Sequence, residues 1–158
     1  MLRGRRPVVG AACAAVVVAV AATVVLAFSS SSRAEPTRAQ YLKRVAAICR
    51  VYGPRLDRIR PPDVAEPANV IAAITAALPL IKAQERRVRA LEAPASLRDR
   101  LARWFRLQDR RRSLLEKALR AAGRQDFRAL SIAYVDFILA GPATARLGSA
   151  IGIPHPPC

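Results

Sequence analysis

An uncharged apolar run near the N-terminus constrains this chain more than any other feature. Residues 8–28 contain only apolar or small side chains and follow Pro7 without a charged residue. A helix of about 21 residues rises about 30 Å, which matches the hydrocarbon thickness of a bilayer. Residues 7–28 are therefore predicted to form a transmembrane signal anchor, or else a signal peptide.

The charges around this run predict its orientation. Three arginines lie within residues 1–6, whereas Arg33 is the one basic residue close behind the run. Lys and Arg near a spanning helix are retained on the cytoplasmic side. We therefore expect a cytoplasmic basic stub, a polar linker at residues 29–36 and an extracytoplasmic domain at residues 37–158. The domain is expected at the cell membrane on a single pass, or secreted if the leader is cleaved.

Apolar side chains recur at three- and four-residue spacing throughout residues 37–158, and no segment alternates with a period of two. This pattern predicts four amphipathic helices and no sheet. Because the turns between them are short, we expect an all-α fold in which the N-terminal transmembrane helix is followed by an up-down four-helix bundle.

Local signals predict where these helices begin, bend and end. Thr37 and Gln40 have the spacing of a capping box, and Ser96 and Asp126 stand at the expected N-caps of the third and fourth helices. Gly123 is expected to end the third helix in a left-handed conformation. Prolines inside the helical patterns predict a kink or a split at Pro54, a bend at Pro79, and a break or a kink at Pro142, where a last short helix would begin.

Two inward faces carry the predictions that bear on a site. The fourth helix is expected to direct its apolar residues to the core: Phe127, Leu130, Tyr134, Phe137 and Ile138. On the second helix, Glu85 projects near the edge of the apolar face. A buried carboxylate needs a partner, and Arg111, Gln108 or the indole of Trp104 could supply one.

Two cysteines, Cys49 and Cys158, follow the apolar run. Compartments outside the cytoplasm oxidise thiols, and an even pair in a small exported domain is typical of one disulfide. The two positions therefore predict a bridge between the first helix and the C-terminal tail. Cys13 lies inside the apolar run and is interpreted as a small apolar residue there.

The composition is strongly basic, with 27 Lys and Arg residues, 11 acidic residues and a net charge of +16. Such an excess favours an anionic partner such as lipid headgroups or phosphate-bearing wall polymers. The arginine-rich codon usage of a GC-rich genome explains the same excess, and both explanations stay open here. The basic residues on the polar side of the third helix are the candidates for anion binding: Arg98, Arg103, Arg106, Arg110, Lys117 and Arg120.

Nucleic acid is not an expected partner. Single-stranded nucleic acid is usually bound by aromatic side chains interleaved with basic ones. Trp104 and Phe105 fall on the apolar side of the third helix instead. The predicted topology also separates the basic face from cytoplasmic DNA.

The residue types that carry catalysis or bind metal ions are scarce. His155 is the single histidine. The sequence contains no E-x-x-H pair for a di-iron bundle, no G-x-S-x-G elbow and no Gly-rich phosphate loop. We therefore predict no catalytic residues, no metal ion and no cofactor, and we do not expect an enzyme.

Three features of the chain are shared with a set of exported proteins. They are the arginine-flanked leader, the Y-L-x-x-x-x-x-I-C pattern at residues 41–49, and the closing segment from Leu147 and Gly148 to Cys158. With these features the chain resembles small exported or membrane-anchored helical proteins of GC-rich Gram-positive bacteria that have no known activity. The resemblance implies no activity and no site.

Two function hypotheses follow. The first is a non-enzymatic, membrane-tethered helical module whose basic face binds an anionic component of the envelope, lipid or wall polymer. The alternative is a bundle that holds a small apolar ligand or a partner protein helix between its bent helices. The sequence does not predict an oligomeric state.

Overall fold

Four α-helices make up most of the part of the chain that the computed structural model describes, which is residues 35–59, 61–63 and 65–153. The helices are α1 (Arg38–Asp57), α2 (Pro67–Arg89), α3 (Arg98–Gly123) and α4 (Phe127–Ile151), with one turn of 3₁₀-helix at Ala95–Leu97. No strand occurs within these ranges. The predicted all-α class and four-helix arrangement are confirmed, whereas the predicted membrane segment at residues 7–28 and Cys158 lie outside the described residues.

Two helices begin at the predicted caps. The Thr37 hydroxyl accepts a hydrogen bond from the Gln40 backbone N–H at 3.2 Å, and the Gln40 side chain accepts one from the Thr37 N–H at 2.9 Å. Asp126 likewise accepts a hydrogen bond from the Ala129 N–H at 3.0 Å. Each of these side chains satisfies a backbone donor that the first turn of a helix leaves unpaired.

The start of α3 differs from the prediction, because Ser96 does not cap it. Ser96 lies inside the 3₁₀ turn, and Leu97, which occupies the N-cap position of α3, makes no side-chain cap hydrogen bond. The turn is closed by a 2.9 Å hydrogen bond from the Leu97 N–H to the Pro94 carbonyl. This geometry buries Leu97 in the core, and the burial of a leucine outweighs the roughly 1 kcal/mol that a serine cap contributes.

The end of α3 lies at Gly123, as predicted, but its conformation differs. Gly123 is the last helical residue, and the left-handed residue is Gln125, with φ 59°. The Asp126 N–H bonds the Ala121 carbonyl at 3.0 Å, and the Gln125 N–H bonds the Ala122 carbonyl at 2.9 Å. This is a Schellman motif placed two residues later than the glycine. Gln125 and Asp126 therefore bond carbonyls of the last turn, and the glycine itself stays helical.

The three internal prolines lie within continuous helices. Pro54, Pro79 and Pro142 are all exposed, and α4 runs unbroken through Pro142 to Ile151. Of the two outcomes predicted for Pro142, a break or a kink, the break and the separate last helix are therefore wrong. A proline leaves one carbonyl without its helical donor, and on an outer face water can supply the missing hydrogen bond.

Two groups of buried apolar side chains form the core. Cluster A is Tyr41, Val45, Val88, Leu97, Leu101, Trp104, Ile151 and Ile153, and cluster B is Val70, Ile74, Leu78, Leu115, Ala118, Ala121, Leu130 and Ala133. Cluster A takes the starts of α1 and α3 and the ends of α2 and α4. Cluster B takes the starts of α2 and α4 and the end of α3. Consecutive helices are therefore antiparallel, as in an up-down bundle.

The outer side of α4 is apolar, and no described part of the chain covers it. Leu130 and Ala133 are fully buried, but the predicted inward residues Phe127 and Ile138 are 47% and 48% exposed. Leu139 is 71% exposed. Among the described helices, α4 is the one whose length and composition would suit a membrane span. The prediction for Phe127 and Ile138 was wrong because apolar residues surround α4, so periodicity alone did not identify its inner face.

Candidate ligand cavity

A cavity of about 330 Å³ lies between α2, α3 and α4. The end of α1 and the following loop complete its wall through Leu56, Ile59, Pro61 and Pro62. The volume is at the lower end of the range of small-molecule sites, about 300–1,000 Å³. Most of the wall is apolar, and its polar residues are Gln84, Glu85, Gln108, Arg111, Arg112 and Tyr134.

The cavity separates the two halves of the core. Val88 and Trp104 of cluster A and Ile74 and Leu115 of cluster B all line it. Alanines at positions 73 and 77 of α2 contribute little side-chain volume at this level. The small side chains therefore leave the space between the clusters open.

Glu85 is the buried acid of the cavity, with 6% of its surface exposed. The Arg112 Nη1 donates a hydrogen bond to its Oε2. Burial raises the pKa of Glu85, while the charge of Arg112 and its hydrogen bond lower it. A partner was predicted for this carboxylate, but Arg112 was not among the three candidates.

Arg112 belongs to a chain of ion pairs that joins α2 to α3. Its Nη2 lies 2.8 Å from the Asp109 Oδ1, and the Arg89 Nη2 lies 2.7 Å from the same oxygen. Lys82 of α2 and Glu116 of α3 add a further pair at 2.8 Å. The negative charge of Glu85 is thus balanced by Arg112, which is itself held in place by Asp109.

Arg111 is different from its neighbour. Its Nε is buried and has no hydrogen-bond partner, and none of the ion pairs within the described ranges includes it. Its guanidinium carbon lies 4.5 Å from the centroid of the Phe137 ring. Burial lowers the pKa of Arg111, and the negative charge of Glu85 raises it. An arginine stays protonated under such influences, so the cavity contains a cation that forms no ion pair within the described part of the chain.

The four residues that the sequence pointed to as one constellation do come together. Glu85, Gln108, Arg111 and Trp104 all line the cavity. With Arg112 included, the site holds one carboxylate and two guanidinium groups, which leaves one positive charge in excess. This arrangement can bind an anion beside an apolar surface. No group of three or more potential metal ligands occurs among residues that the structure describes.

The predicted basic face of α3 is a second, separate surface. Its six residues, Arg98, Arg103, Arg106, Arg110, Lys117 and Arg120, are all exposed. Arg98 lies 3.5 Å from Glu35, and the other five form no ion pair with any described residue. The face is therefore a row of basic side chains whose charges are exposed to solvent.

The predicted disulfide is described on one side only. Cys49 is half-buried against cluster A and is not a free thiol. Cys158 lies outside the described residues, so its pairing with Cys49 stays a prediction. Ile153 packs in cluster A as well, which brings the described end of the chain into the same part of the core as Cys49.

Comparison of the chain with family models, curated proteins and solved structures gives no match. The resemblance to exported helical proteins of GC-rich Gram-positive bacteria therefore stays a prediction. Function has to be argued from the cavity and the surface.

Proposed function

We propose that this protein is a non-enzymatic binding module that holds a small apolar molecule with an anionic head in the cavity between α2, α3 and α4. The observation that carries the proposal is Arg111, a half-buried arginine in a mostly apolar wall, whose buried Nε has no hydrogen-bond partner among the described residues. The function is the second of the two hypotheses from the sequence, with the head group of the ligand added.

The energetics of Arg111 support an anionic ligand. Moving a charge out of water without a partner costs several kcal/mol, and the stacking of Arg111 on Phe137 returns only about 1–2 kcal/mol of this. A carboxylate, sulfonate or phosphate of a ligand would form charge-assisted hydrogen bonds with the guanidinium. The ligand would thus supply the anion that Glu85, already bonded to Arg112, does not.

The size of the cavity suits a small molecule. At about 330 Å³, it falls within the range of small-molecule sites, about 300–1,000 Å³. Its apolar wall would bury a compact hydrocarbon body at roughly 25 cal/mol for each Å² removed from water.

Two fluorescent probes with the same ring system test the proposal. 1-Anilinonaphthalene-8-sulfonate carries an anionic group, and N-phenyl-1-naphthylamine lacks it. We expect saturable binding of both, with the sulfonate about tenfold tighter, as one charge-assisted contact of about 1.4 kcal/mol would give. Arg111→Met should abolish this preference and keep the affinity for the neutral probe.

Two further variants serve as controls. Arg110→Met removes an exposed charge from the adjacent position of α3 and should leave both affinities unchanged. Ala77→Phe places a ring into the cavity wall and should prevent the binding of both probes. Equal affinities in the wild-type protein, or a sulfonate preference that survives Arg111→Met, would exclude the anion site.

A second candidate function is supported by the basic face of α3. We propose that its unpaired bases bind an anionic polymer of the envelope, the first hypothesis from the sequence. Binding of poly(glycerol phosphate) at increasing NaCl concentration tests it.

Two triple variants separate this face from the overall charge. R103Q/R106Q/R110Q should weaken both the binding and its salt dependence. R44Q/R50Q/R86Q, which removes three exposed charges from α1 and α2, should have a much smaller effect. Equal effects of the two triple variants would show that net charge alone is responsible.

A further inference from the structure

The outer surface of α4 carries a continuous apolar stripe that no part of the described chain covers. Ile132, Val135 and Ile138 are each between 43% and 50% exposed, and Leu139 is more exposed still. These residues are three, three and one positions apart, so at 100° per residue they lie within about a third of the helix circumference. A monomeric soluble protein rarely leaves such a contiguous patch in water.

The stripe has a cation at each end. Arg128 and Arg146 are exposed and are separated by 18 positions, which is about five full turns, so both project in the same direction about 27 Å apart. That direction is the one in which Val135 and Leu139 also project. The one acidic residue of α4, Asp136, lies about 80° away from them on the helix surface.

We propose that this outer stripe of α4 docks on the surface of an anionic membrane, with α4 lying in the plane of the interface. The apolar side chains would enter the boundary between headgroups and acyl chains, and the two arginines would contact lipid phosphates. Positive charge is available throughout the domain, because basic residues outnumber acidic ones two to one among the described residues.

The helix lies on the membrane in this proposal and does not cross it. Leu130 and Ala133 on the inner side of α4 are fully buried in cluster B. A spanning α4 would have to leave the bundle and dismantle that cluster. Only the outer stripe is therefore free for lipid, although α4 as a whole has the length and composition of a span.

A second copy of the chain fits the stripe less well than lipid does. The two arginines are placed symmetrically about residue 137. In an antiparallel pair of α4 helices Arg128 of one copy would face Arg146 of the other, and in a parallel pair each arginine would face its equivalent. Both arrangements oppose like charges at the two ends of the contact, which suppresses association. An anionic lipid surface complements both ends at once.

The full chain, reconstituted in vesicles, tests the proposal through an added tryptophan. Leu139→Trp places one in the stripe, and Ser113→Trp places one on the exposed side of α3. The native Trp104 is buried and provides a constant background. The vesicles contain equal parts of phosphatidylcholine and phosphatidylglycerol, with or without lipids brominated near the headgroup end of the acyl chain.

We expect the added emission of Leu139→Trp to be blue-shifted and to lose most of its intensity with brominated lipid, while that of Ser113→Trp is unchanged. Adding R128Q/R146Q, or omitting phosphatidylglycerol, should reduce this quenching severalfold. If Leu139→Trp is no more quenched than Ser113→Trp, the proposal is wrong. A blue shift without quenching would also overturn it, since it would show the stripe buried against protein.

Discussion

Arg111 and Arg112 show how two identical neighbours acquire different roles from their positions on one helix. The two side chains project about 100° apart. Arg112 reaches the acids Glu85 and Asp109 and keeps 28% of its side chain exposed, so its charge is compensated on both sides. Arg111 projects into the cavity, where Phe137 stacks on it and its Nε lacks a partner. Arg112 therefore has a structural role, and Arg111 is left for a ligand.

Substituting these two arginines with methionine should have opposite effects on stability. Arg111→Met replaces a buried, incompletely paired charge with an apolar chain of similar length and should raise the free energy of unfolding by about 1 kcal/mol. Arg112→Met leaves Glu85 buried without its partner and should lower it by about 3 kcal/mol. Urea denaturation of both variants measures the difference. Destabilisation by Arg111→Met would mean that the empty cavity already satisfies its charge.

Glu85 should give the stability a pH dependence whose sign follows from its burial. Burial raises its pKa in the folded state above the ordinary value of 4.5, so the folded protein retains a proton that the unfolded chain has released. The contribution of Glu85 is therefore largest below the unfolded pKa and is lost as the pH rises through the folded pKa. We expect the unfolding free energy of the wild type minus that of Glu85→Gln to fall with rising pH across this window. A difference that rises instead would show that Arg112 outweighs burial.

At the scale of the helices, the features predicted correctly depend on residues close together in the sequence. The caps at Thr37 and Asp126 involve side chains three positions from the N–H groups that they bond. The features predicted wrongly depend on packing between elements. Leu97 enters cluster A and draws Ser96 out of the cap position, and α4 continues through Pro142 because that proline happens to face solvent.

The candidate site, like the helix ends, could be predicted only in part from the sequence. The position of Glu85 on the edge of an apolar face pointed to a buried polar constellation, and its members do meet. The cavity itself was not predictable, because its volume depends on how far two clusters of different helices stay apart. The partner Arg112 was missed for the same reason, since the choice between two adjacent arginines depends on the rotation of α3 relative to α2.

The end of α4 is a Schellman motif like that of α3, with hydrogen bonds from the Ile153 N–H to the Gly148 carbonyl at 3.0 Å and from the Gly152 N–H to the Ser149 carbonyl at 2.9 Å. The two motifs lead to a paired prediction for helix ends. The left-handed conformation of Gln125 is unfavourable by roughly 1–2 kcal/mol, because the residue has a Cβ. Gln125→Gly should therefore raise the unfolding free energy by about 0.5–1 kcal/mol after the greater backbone entropy of glycine is counted. The control is Gly152→Ala at the end of α4, where φ is 95° and the added Cβ would lie 3.0 Å from the Leu42 Cδ1. It should lower stability by about 2 kcal/mol, and thermal denaturation compares the two.

At the scale of the whole bundle, the cavity divides the core into two clusters that the ion pairs between α2 and α3 help to hold in register. A ligand between the clusters would contact both of them. It would add apolar contacts that neither cluster makes alone and would close the gap in packing between them. Occupancy of the cavity should therefore stabilise the entire fold.

This stabilisation can be measured with the anionic probe. At a free concentration of one hundred times its Kd, 1-anilinonaphthalene-8-sulfonate should raise the unfolding free energy by about 2.7 kcal/mol through mass action. Ala77→Phe should be insensitive to the probe, because the ring occupies the same space. Equal stabilisation of the two proteins would place the bound probe on the surface.

Because α4 lines the cavity on one side and is proposed to contact the membrane on the other, it affects how a ligand would reach the cavity. Tyr134 and Phe137 form part of the cavity wall, while Val135 and Leu139 project outward on the same rod. If both proposals hold, the ligand in the cavity and the acyl chains of the bilayer lie on opposite sides of α4. The thickness of a single helix, about 10 Å, separates them. An amphiphile that leaves the membrane would then have only a short path to the cavity.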